Sequence, residues 1–109
     1  MIGVFDALWA LGAGQGAPVA CGGAGTPDPP TNVEQSGSPI VVTWNTGDPG
    51  RCSIVYFHES ECPSVEEPVE IAQLDPGVTM YETGLTSGRF SVSHVSSDAE
   101  SDRVCAEDA

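Results

Sequence analysis

Ile40-Val41-Val42-Thr43-Trp44 is the stretch that decides the fold. Apolar side chains at Ile40, Val42 and Trp44 recur at every second residue, the period of a strand with one face in a core. Two further runs alternate in the same way, Cys52-Ser53-Ile54-Val55-Tyr56 and Phe90-Ser91-Val92-Ser93-His94. Between them lie turn signals rich in Gly, Pro, Asp and Ser: Thr46–Gly50, Asp75–Gly77 and Thr86–Gly88. The pattern predicts strands near 31–36, 39–45, 52–58, 69–73, 79–84, 88–95 and 102–106. Short strands at this spacing describe an all-β, seven-stranded antiparallel sandwich. Its predicted core is Ile40, Val42, Trp44, Ile54, Tyr56, Tyr81, Leu85, Phe90 and Val92. The acidic stretch 59–68, with Pro63 and Pro68, reads as a long loop between the two sheets.

The order of these residues resembles a fibronectin type III domain over about residues 29–106. Pro29 and Pro30 open the first strand, Val42 and Trp44 mark the second, and Cys52, Ile54 and Tyr56 mark the third. Tyr81-Glu82-Thr83-Gly84-Leu85 then leads to Gly88 and a strand headed by Phe90, where the family usually has a tyrosine. An immunoglobulin-like sandwich of another topology fits the same pattern.

The chain divides at about residue 28. Residues 29–109 form the sandwich with an acidic C-terminal tail, and 1–28 form an apolar arm with a Gly/Ala/Pro linker. In the arm, Val4, Leu8 and Leu11 share one helical face and Phe5 and Trp9 flank it. Such a helix, or an extended arm, is too short to cross a bilayer, which takes about 20 helical residues. It is also too short to be stable alone in water, so something must cover it: the arm is expected to dock on a partner, the alternative being that it folds back on its own sandwich. Pro18-Val19-Ala20-Cys21 faintly resembles a lipoprotein cleavage box, but no basic residue precedes the apolar stretch and Asp6 interrupts it.

Sixteen acidic residues face three arginines and no lysine, a net charge of −13. That field opposes nucleic acid and anionic membranes, and neither is expected as a partner. Four cysteines, Cys21, Cys52, Cys62 and Cys105, contain no C-x-x-C pair, so they suggest two disulfides and an oxidising destination rather than a metal knuckle. Three pairings are open. The fibronectin type III arrangement implies Cys21–Cys52 at one pole and Cys62–Cys105 at the other. Cys52 and Cys62 are set apart by the third strand, about 20 Å long at about 3.3 Å per residue.

Reactive chemistry finds little support. His58 lies near Glu59, Glu61 and Cys62, but alternation sends His58 and Glu59 to opposite faces. No serine occupies a G-x-S-x-G elbow, and Gly12–Gly16 neither follows a strand nor precedes a lysine, so it is no phosphate loop. Asp98, Glu100 and Asp102 alternate like calcium ligands but lack the glycine and closing glutamate of a calcium loop. No catalytic, metal or cofactor residue is assigned. The sequence instead predicts a non-enzymatic structural or interaction protein of an extracellular assembly. Its resemblance to small accessory domains of phage and archaeal-virus heads and tails points to a virion decoration protein. The arm would dock on a larger capsid or tail protein, and a homo-oligomer is a further option. The alternative is a cell-surface adhesion module or a lipid-anchored secreted protein.

Overall fold

A computed structural model describes residues 21–109. The arm residues Val4, Phe5, Leu8, Trp9 and Leu11 therefore lie outside the described residues.

Eight strands follow one another: β1 Thr31–Ser36, β2 Val41–Asn45, β3 Cys52–His58, β4 Val69–Leu74, β5 Met80–Glu82, β6 Arg89–Val95, β7 Val104–Cys105 and β8 Glu107–Asp108. They form two four-stranded sheets, ordered β5-β2-β1-β8 and β4-β3-β6-β7. The all-β, two-sheet architecture is the one expected. Two details differ. The described residues hold eight strands where seven were expected, and β8 runs parallel to β1, with Glu34 opposite Glu107 and Gln35 opposite Asp108. The tail lacks apolar alternation, so nothing in its side chains announces a strand. Its backbone instead completes the open edge of β1, continued by Ala109 N–H to the Gln35 carbonyl at 3.1 Å. Arg89 holds Asp108 at 2.8 Å beside this edge.

The core lies between the sheets. Val33, Ile40, Val42 and Trp44 from the first sheet meet Val55, Phe90, Val92 and the crossover residue Ala106. Tyr81 is half-buried and packs against this cluster. The rings of Phe57 and Phe90 meet at 5.7 Å with a tilt of 57°. Gly88 adjoins this pair at φ +111°; a Cβ there would come within 2.3 Å of the Phe57 ring, so only glycine fits. Gly47 is equally constrained, since a Cβ would lie 1.9 Å from the Pro29 carbonyl oxygen. Near it, His94 is almost wholly buried on the core side. Its Nε2 accepts the Gly47 N–H at 3.2 Å, which leaves Nδ1–H to donate to the Cys52 carbonyl at 3.3 Å.

One expected core residue needs correction. Leu85 is exposed, since it follows β5 in a turn and contributes mainly its carbonyl, which accepts the Ile40 N–H at 2.7 Å. Ile54 and Tyr56 are buried as expected, each 6% exposed, but outside the cluster between the sheets. On β3 the core side carries Val55 and Phe57, and Ile54 and Tyr56 face the opposite side of the sheet. Both faces of β3 are covered, as its burial from Cys52 to Tyr56 shows, so alternation alone could not tell which face was the core.

Candidate functional site

The outer face of the β4-β3-β6-β7 sheet carries a row of buried polar side chains, His58, Ser91 and Ser93 among them. Along β3 its row reads Cys52, Ile54, Tyr56 and His58, and the adjacent β6 row contributes Ser93 opposite Ile54 and Ser91 opposite Tyr56. A disulfide closes each end of the row. Cys21–Cys52, with Cα atoms 4.7 Å apart, ties the N-terminal segment down at one pole. Cys62–Cys105, at 5.8 Å, ties the 59–68 loop to β7 at the other. This is the pairing that the fibronectin-like arrangement implied. The bridges span 31 and 43 residues, and closing such loops contributes about 3.5–4 kcal/mol each on a chain-entropy estimate.

At the second pole, His58 is the hub. Ser64 Oγ–H donates to the Glu66 carbonyl at 2.6 Å, so Ser64 Oγ accepts His58 Nδ1–H at 2.9 Å. Nε2 is then the acceptor for Ser91 Oγ–H at 2.8 Å, and Cys62 Sγ lies 3.5 Å from the same nitrogen. Both ring nitrogens are thus used by a neutral imidazole. Burial, and then the charge of Arg103, push its pKa below the ordinary histidine value. The Ser91–His58 contact does not make an activated nucleophile: Ser91 is fully buried, and the far ring nitrogen meets a hydroxyl rather than a carboxylate. The arrangement fastens the 59–68 loop to the sheet.

Midway along the row lies a second cluster. Glu100 accepts hydrogen bonds from Tyr56 Oη–H and from Ser93 Oγ–H. The Arg103 guanidinium stacks 4.2 Å from the Tyr56 ring centroid and lies 3.7 Å from Glu100 and 3.1 Å from Glu67. Burial, and then Glu100, push the Tyr56 phenol well above its usual range. Burial and Glu100 also raise Glu70, against the opposing pull of Arg103. For Arg103 burial opposes the charge, but Tyr56, Glu100 and Glu67 outweigh it and raise its pKa.

The acids considered as calcium ligands diverge. Glu100 turns to Tyr56 and Ser93, whereas Asp98 accepts the Gly25 N–H at 2.9 Å. Among the described residues no three ligating side chains converge on a metal position, and no helix is long and apolar enough to cross a membrane. Sequence reasoning missed Ser64, Ser91, Ser93, Glu100 and Arg103 as a set. The available signal was the serines alternating with Phe90 and Val92, which mark a polar second face on a strand buried on both sides.

Outside the His58 hub, the loop and the start of β4 border a cleft of about 360 Å³, lined by Phe57, Val65, Val69 and the acidic residues Glu59, Glu61, Glu66 and Glu67 among others. Comparison with protein-family models, curated proteins and solved structures gave no match.

Proposed function

We propose that this chain is a non-enzymatic interaction module of an extracellular assembly: a fibronectin type III-like sandwich serving as an accessory or decoration protein of a virus particle. Its arm, through Val4, Phe5, Leu8, Trp9 and Leu11, docks on a larger capsid or tail protein. The observation that carries the reading is the Cys21–Cys52 bond. It fixes Cys21, the residue at which the proposed arm joins, to one pole of the sandwich. Two disulfides also suit an oxidising, extracellular location.

The sheet order favours the fibronectin type III arrangement. In the constant-type immunoglobulin sandwich the fourth strand joins the sheet of the first, second and fifth. Here β4 pairs with β3 instead. The lipid-anchored alternative is disfavoured by the same cystine, because lipidation would take the Cys21 sulfur that bonds Cys52.

Incorporation tests the proposal. Full-length chain and a chain lacking residues 1–20 are expressed separately in cells producing particles that lack the endogenous protein. The full chain should enter the particles and the truncated one should remain free although folded. Equal incorporation would refute arm-driven docking.

A further inference from the structure

The cleft beside the 59–68 loop is lined by apolar and polar side chains together, among them Phe57, Val65 and Val69 and the carboxylates of Glu59, Glu61 and Glu66. Val65 is 97% exposed and Val69 60% exposed, an unusual placement for two valines in a domain with so small a core. Around them stand Glu59, Glu61 and Glu66, none of which takes part in a salt bridge among the described residues. We propose that this cleft is a docking surface for a basic segment of another protein, one that presents an apolar side chain flanked by lysine or arginine.

Charge identifies the occupant. The three arginines are the only Lys or Arg residues of the chain, and each is already engaged. Arg51 pairs with Asp48 at 3.4 Å, Arg89 with Asp108 at 2.8 Å, and Arg103 with Glu67 at 3.1 Å. Residues 1–20 contain neither lysine nor arginine, so the arm cannot answer these carboxylates with a side-chain cation. A second copy brings the same engaged arginines and another net charge of −13, and is repelled. A cationic segment from a different protein complements the carboxylates while its apolar side chain covers Val65 and Val69.

The surface is also held ready. Cys62–Cys105 ties the loop to β7, and His58, Ser64 and the Glu66 carbonyl form a continuous hydrogen-bonded chain beneath it. A loop fixed before binding loses little further freedom on contact. This surface lies at the opposite end of β3 from Cys21, so the proposal stands whether or not the arm docks on a particle.

The test uses the intact, disulfide-bonded chain, followed by amide chemical-shift perturbation. The probe is a blocked peptide of alternating arginine and leucine; controls alternate arginine with serine, or glutamate with leucine, and calcium chloride is titrated alone. The proposal expects arginine–leucine shifts concentrated in residues 57–69, weaker binding of arginine–serine, and no response to glutamate–leucine. Val65→Ser, and the combined Glu59→Gln, Glu61→Gln and Glu66→Gln variant, should each weaken binding about five-fold or more with melting unchanged. Three outcomes would overturn it: shifts spread equally over the Asp98–Asp102 hairpin and the tail, affinity indifferent to both variants, or calcium alone reproducing the shifts.

Discussion

The guanidinium of Arg103 lies 4.2 Å from the centroid of the Tyr56 ring, while Glu100 accepts the phenol hydrogen of that same residue. One aromatic side chain thus joins a cation on its face and a carboxylate at its tip. Tyr56→Phe keeps the ring under Arg103 but removes a donor from Glu100. The expected cost is about 1–2 kcal/mol, because a partly buried carboxylate loses a charge-assisted hydrogen bond. Urea denaturation measures it. Ultraviolet titration should also find one tyrosine in the native protein ionising well above the ordinary range, absent from Tyr56→Phe; a Tyr56 with ordinary ionisation would contradict the cluster.

The two disulfides should differ in reactivity. Cys21 and Cys52 are both 2% exposed, whereas Cys62 and Cys105 are only partly buried. Thiol–disulfide exchange requires access to sulfur, so limited reduction of the folded protein followed by alkylation should label Cys62 and Cys105 first. Labelling Cys21 and Cys52 at an equal or greater rate would contradict the burial of that bond.

His58 sets a pH dependence whose sign is fixed by its burial. Its folded pKa lies below the ordinary value of 6.5, so the unfolded chain binds the proton first as pH falls. The stability held above about 6.5 is therefore lost progressively as pH drops toward the folded pKa. Arg103 adds to this effect by opposing a second positive charge. Glu70 works the other way, since its raised pKa favours the folded state as it takes up its proton. The histidine contribution is therefore read as the difference between wild type and His58→Gln in denaturation midpoints across pH. That difference should change between neutral and mildly acidic pH; a constant difference would mean that the imidazole does not titrate between the two states.

Trp44 should dominate the core. It is 3% exposed and packs with Val42 and Phe90 among others. Trp44→Ala should cost about 3–5 kcal/mol, a large part of the stability of so small a domain. Its indole N–H has no acceptor among the described residues. Trp44→Phe removes that unpartnered donor and should therefore cost far less than the alanine variant. Thermal melting of both variants checks the ranking, and near-wild-type melting of Trp44→Ala would contradict the assigned core.

The chain reveals its sheets more readily than its faces. The run Ile40–Trp44 is legible because Thr43 is exposed between two buried side chains, so period two has one reading. On β3 both sets of alternate residues are covered, so alternation finds Ile54 and Tyr56 as buried residues but does not tell that Val55 and Phe57 are the ones facing the other sheet. β8 escapes notice because Glu107 and Asp108 pair through backbone alone. The polar row escapes for a different reason: Tyr56 and Glu100 are 44 residues apart, and only the pairing of β3 with β6 brings them together.

The most direct test of the central claim follows the native chain through a density gradient of particles released from its source, with peptide mapping under non-reducing conditions. The chain should band with a large capsid or tail protein, with Cys21 still linked to Cys52. A chain found only in membranes with a lipid on Cys21, or one that never accompanies particles, would contradict it.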